Sequence, residues 1–206
     1  MWVYERRIDL VPGNSSRSIE VEFELSAAQF ELMGYPNLSQ GQPLSLVLDA
    51  GVLLPDPAAD SWFMVQPESL PTQLVHVGPA LYAFSGQIRD AELLQDEDNE
   101  MAILLVNCGG VLVRMTCAPG EDGHLPFGTW ETRYLAGVGR LQGVVEEDYS
   151  SILGENIGAT LWSFRRLILT PGDPLFGQWR ETSNLPATPF RFDRILIQAR
   201  LHRQGV

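Results

Sequence analysis

Residues 101–117 read MAILLVNCGGVLVRMTC, two apolar runs set back to back across Gly109-Gly110. Glycine takes positive φ angles without steric penalty, so this dipeptide suits a two-residue hairpin turn. Every position from Met101 to Val106 is apolar. Side chains of both parities therefore seek cover, as in a central strand buried on both faces. On the return strand Val111, Val113, Met115 and Cys117 share one parity, while Leu112, Arg114 and Thr116 share the other, which sends Arg114 out of the core. A hairpin of this kind needs other strands to cover it. The reading is a mainly β protein built around 101–117.

The neighbouring segments supply those strands. Leu81 to Leu94 is long for one strand, and its apolar parity changes after Gly86: Tyr82, Phe84 and Ile88 share one phase, Ala91 and Leu93 the other. Such a change marks a bulge or bend. An acidic loop, Asp96 to Glu100, leads into the hairpin, and a loop rich in Gly and Pro, 119–128, leaves it. The segment 130–145 is a further strand punctuated by Gly137, Gly139 and Gly143, followed by strands at 159–170 and 192–203. A long bent strand, a tight hairpin and glycine-broken strands fit an OB-like barrel, whose first strand bends to serve two sheets. A β-sandwich fits the same pattern.

The N-terminal half carries the cleanest alternation. In IEVEFEL, Ile19, Val21, Phe23 and Leu25 alternate with Glu20, Glu22 and Glu24, which predicts one buried and one solvated face. Ser26 and Gln29 have capping-box spacing, Leu25 and Phe30 stand at staple positions, and Gly34 and Pro36 end the segment. A short helix over 27–33 is predicted. One or two strands follow at 44–54, interrupted at Asp49-Ala50-Gly51, then short strands at 62–65 and 74–77. In all, nine to eleven strands are expected. They form a single β-rich body, 1–206, with any seam at 67–80 dividing an N-terminal β unit (1–66) from a barrel-like unit (81–206).

Composition narrows the function classes. A 206-residue chain with 45% hydrophobic and 19% charged residues can bury a sizeable core. No apolar run reaches the roughly 18 residues of a membrane helix. The N-terminus, with charges at Glu5, Arg6, Arg7 and Asp9, lacks the apolar stretch of an export signal, so a cytoplasmic setting is expected. The formal charge is −12, unevenly spread. From Leu161 onward, seven arginines face three acids and leave a surplus of +4; the first 160 residues carry −16. All fourteen basic residues are arginine, which excludes a lysine Schiff base or a P-loop lysine within the chain. Cys108 and Cys117 are the only cysteines. In a hairpin turning at Gly109-Gly110 they are not cross-strand partners, so two buried thiols are expected, with no disulfide, redox or metal role.

No linear motif names a reaction. AGVGRLQG (136–143) lacks the helix start that a dinucleotide loop needs, and no nucleophile elbow or metalloprotease helix is present. His76, His124 and His202 lie in separate segments. Arginines and aromatics do gather in LWSFRR (161–166) and GQWR (177–180), pairing guanidinium groups for phosphates with ring faces for bases. The candidate ligand-binding residues are Arg114, Arg140, Trp162, Arg165, Arg166, Trp179 and Arg180. The expectation is a non-catalytic binding or assembly protein, without cofactor, metal or membrane contact. An acidic surface would steer a basic protein partner toward it. Single-stranded nucleic-acid binding through the barrel and the C-terminal Arg/Trp cluster is the alternative, followed by an enzyme whose site assembles in space. Oligomeric state is not legible.

Overall fold

The computed structural model describes residues 18–26, 37–51, 63–66, 68–96, 99–117, 134–145, 156–186 and 193–202. Within these the chain is built of strands: β1 (Ile19–Ser26), β2 (Leu38–Ser39), β3 (Pro43–Gly51), β4 (Phe63–Gln66), β5 (Gln73–Gly78), β6 (Leu81–Asp96) and β7 (Asn99–Cys108). The second half adds β8 (Val111–Cys117), β9 (Tyr134–Val145), β10 (Ile157–Leu167), β11 (Trp179–Thr182), β12 (Asn184–Leu185) and β13 (Arg194–Leu201). The predicted helix over 27–33 lies outside the described residues. Thirteen strands exceed the nine to eleven expected, because β2 and β12 are two-residue pairings and β11 lies in a segment without apolar alternation.

The hairpin forms as its sequence requires. Gly109 and Gly110 both take positive φ, 71° and 91°, and the Gly110 N–H donates to Asn107 Oδ1 at 2.8 Å. Cys108 lies opposite Val111, and Cys117 opposite Ala102, so the two cysteines are not partners across the ladder. β6 pairs with β7 along its second half and with β9 along its first. The predicted irregularity appears between Ile88 and Asp90. It falls just past Gln87, the residue that pairs with both β9 and β7.

Pairing closes a ring of eight strands, β10–β13–β1–β9–β6–β7–β8–β3, back to β10. The barrel alternative is therefore the observed one. β3 and β9 also pair with each other, so the ring consists of two five-strand circuits sharing that pair. β3 is unbroken through Asp49-Ala50-Gly51, where Asp49 and Ala50 also pair in parallel with Arg114 and Met115. Inside lies one continuous core that includes Phe23, Leu48, Phe84, Leu104, Met115, Leu141, Phe164 and Ile197.

Close approach explains two glycines. A Cβ at Gly143 would overlap the Phe23 ring, and one at Gly86 would overlap Val106 Cγ1 and crowd Cys108 Sγ. Gly143 pairs with Leu48 in unbroken register, so it makes room for the ring without breaking the strand.

Two sequence expectations need correction. Glu22 and Glu24 do not form a solvated face: they are only 4% and 5% exposed. The alternation is real, but the outer face of β1 is covered by arginines from other strands. Arg114 likewise has the outward parity and is nonetheless buried, held by Asp49 through both Nε and a terminal nitrogen.

Candidate functional site

β1 runs antiparallel to β13 along its whole length but meets β9 at a single rung, Glu24 opposite Gln142. Beyond that rung β9 turns away toward β6. The Glu22 N–H therefore has no strand partner on that side and donates to the Tyr82 hydroxyl at 2.7 Å. The turn joining β5 to β6 fills the same gap. Ala80, wholly buried with φ 54°, donates its N–H to Glu22 Oε1 at 3.0 Å and accepts one from Leu141 at 2.7 Å. A left-handed non-glycine residue is strained by about 1–2 kcal/mol, so these two bonds hold a turn that would otherwise relax.

The Glu22 carboxylate accepts from three donors. Ala80 N–H serves Oε1, while Arg165 and Gln198 Nε2, the latter at 3.2 Å, serve Oε2. His76 Nε2 stands 3.5 Å from Oε1. Burial alone would raise this carboxyl's pKa, but the Ala80 N–H, Arg165 and Gln198 together outweigh it and hold the pKa below the usual 4.5. Glu22 is thus an ionised, buried anchor.

Flanking pairs extend the band. Arg194 binds both oxygens of Glu24 at 2.8 and 2.9 Å, and Arg140 adds a third contact at 3.1 Å. Arg200 reaches Glu20 at 2.9 Å. On the outer side, Arg200 lies over the Trp162 ring at 5.0 Å and Arg165 over Trp179 at 5.4 Å.

Between the β5–β6 hairpin and this band opens a pocket of about 200 Å³, walled by Glu20, Glu22, His76, Tyr82, Trp162 and Gln198. His76 leans on Tyr82 with ring centroids 5.1 Å apart. Tyr82 has its hydroxyl pKa pushed up to about 12 by burial and the Glu22 charge, against the opposing effect of its hydrogen bond with the Glu22 backbone. It stays neutral. The walls thus carry two carboxylates and three aromatic rings, and each carboxylate is paired with an arginine, Glu22 with Arg165 and Glu20 with Arg200.

The sequence candidates are divided by this geometry. Arg140, Trp162, Arg165 and Trp179 gather around the Glu20–Glu22–Glu24 row. Arg166 and Arg180 pair across β10 and β11 on the opposite parity; Arg166 binds Asp193 at 2.9 Å, and Arg180 contacts Gln178 at 3.2 Å. Arg114 sits apart with Asp49. Sequence reasoning missed Glu20, Glu22, His76, Tyr82 and Gln198. A usable signal existed: Arg194, Gln198 and Arg200 share the outward parity of β13, complementing the glutamates of β1.

A second feature lies on the outside of β4, β9, β6 and β5. Met64 stands opposite Ala136, Val138 opposite Ala83, and Ala83 opposite Val75, with Val77 at the adjoining irregularity. Met64, Val75, Val77 and Val138 are 66%, 46%, 53% and 44% exposed. They form an apolar row open to solvent.

Cys108 is buried, and burial pushes its thiol up to about 12, so it is not a nucleophile. Among the described residues, no group of three or more His, Cys, Asp and Glu is placed to hold a metal ion, and no helix is long and apolar enough to cross a membrane. No protein-family model, curated protein or solved structure matches this chain.

Proposed function

We propose that the protein is a non-catalytic binding protein that docks a basic protein partner against the outer face of β4, β9, β6 and β5. The observation that carries this reading is the exposed group Met64, Val138, Val75 and Val77, in which Val138 and Val75 flank Ala83 on one rung, Met64 lies on the neighbouring rung and Val77 lies at the irregularity of β5. Contiguous apolar surface of this kind marks interaction sites, whereas single exposed residues do not. The chain's charge of −12 supplies the complementary field and selects a basic partner. Catalysis is disfavoured at the pocket because Glu22 already accepts from three donors and has no role left as a base.

Single-stranded nucleic acid is the second reading, favoured by the stacked pairs Arg165–Trp179 and Arg200–Trp162. Against it, Arg114, Arg140, Arg165, Arg166, Arg194 and Arg200 each face a carboxylate, which leaves little positive field for phosphate.

The test compares affinity capture by the wild-type chain with capture by Val75→Ser/Val138→Ser, alongside a fluorescence titration with short single strands at low salt. A basic protein retained by the wild type, released by salt and lost with the variant supports docking. Tight single-strand binding that weakens steeply with salt replaces it with the second reading.

A further inference from the structure

The pocket beside Glu22 has a chemistry of its own. Its charged walls are Glu20 and Glu22, and its remaining polar and aromatic walls are Gln198, His76, Tyr82 and Trp162. Glu22 is closed to direct contact by its donors, but its charge remains. Glu20 is different: Arg200 binds it through Oε1, and its side chain is 69% exposed. Trp162 is exposed as well, and the arginine stacked on it is not part of the pocket wall. Aromatic faces combined with carboxylates and a small volume are what an organic cation requires, because ring quadrupoles and negative charge act in the same direction.

We propose that this pocket receives the cationic head of a basic side chain, a guanidinium or ammonium on its alkyl stem, presented by the protein partner. The proposal rests on the protein-docking reading and deepens it, giving the partner a basic anchor across the β5 edge from the apolar row, since His76 and Tyr82 occupy the rung next to Val75 and Ala83 and so face the other side of the sheet. An anion gains nothing from the arginines bonded to the wall carboxylates, because Arg165 is already paired with Glu22 and Arg200 with Glu20. A neutral apolar ligand would leave Glu20 and Gln198 to be desolvated without compensation. The strained turn at Ala80 supports the assignment, since it ties β5, and with it His76, to the Glu22 carboxylate and so fixes the pocket's shape in advance.

The whole chain is titrated with Nα-acetyl-arginine amide, with the lysine analogue, and with the citrulline analogue as a neutral control. The readouts are the Trp162 indole N–H resonance and tryptophan fluorescence. The arginine or lysine probe is expected to shift the Trp162 signal saturably, and citrulline is expected not to. Glu20→Gln should weaken the response about two- to fivefold, the range of an exposed charge pair. Trp162→Ala, followed by NMR of the remaining pocket resonances, should weaken it by about the same factor. Both substitutions are at exposed positions and leave the Glu22 anchor intact. Equal response to citrulline and arginine, or no saturable shift, overturns the proposal. If that happens while Val75→Ser/Val138→Ser still abolishes capture, the pocket reading falls and the docking face stands. If the cationic probes bind and the face variant captures normally, the docking face falls instead.

Discussion

Glu22 shows how far a residue's role can depart from its local pattern. It lies in a strictly alternating strand, and alternation predicts water on its face. Its partners, Tyr82 and Arg165, are 60 and 143 positions away, beyond any local signal. Removing the carboxylate leaves the buried Ala80 N–H without its acceptor and the part-buried Arg165 without its partner, so Glu22→Ala is expected to destabilise the fold by about 1–3 kcal/mol in urea unfolding. Gly143→Ala should lose about 1–3 kcal/mol by overpacking against Phe23, and Phe23→Leu in the same chain should recover part of that loss. Cys108 should resist iodoacetamide in the native protein and react on unfolding, as peptide mapping would reveal.

At the scale of elements, much was legible because strand parity and turn chemistry are local. The hairpin at Gly109-Gly110, the irregularity in β6 and the inner faces of β1 and β13 all follow from side-chain alternation and glycine conformation. Replacing Gly110 by Ala places a Cβ at φ 91° and should lower stability by about 1–2 kcal/mol, read from the thermal midpoint. What alternation does not encode is which strand lies beside which. β1 and β13 are adjacent across nearly the whole chain, so the match of Glu20, Glu22 and Glu24 to Arg194, Gln198 and Arg200 became visible only with the register. Proximity in sequence groups Arg166 and Arg180 with Arg165 and Trp179 for the same reason, and conceals their opposite parity. The pocket was illegible because five strands contribute to it.

For the whole molecule, the carboxylate band links stability to pH. Glu22 has a folded pKa held below its unfolded value, so its contribution is present above about pH 4.5. That contribution is lost as pH falls through the folded value. The urea midpoint should therefore drop as pH is lowered from 5 to 3, and Glu22→Gln should flatten that decline. Added salt should weaken partner capture, which depends on the −12 field, more than it weakens the covered Glu24–Arg194 pair.

Glu22 and Glu24 are structural charges held within the fold, which leaves Glu20, the pocket and the apolar row for the proposed binding. A double-mutant cycle on Glu22→Gln and Arg165→Gln, compared with Glu20→Gln and Arg200→Gln, tests it most directly. A coupling energy of about 1–3 kcal/mol is expected for the Glu22 pair, as for residues in one network. For the exposed Glu20 pair less than about 1 kcal/mol is expected. Equal, near-zero couplings for both pairs would contradict it and return β1 to a strand with a solvated face.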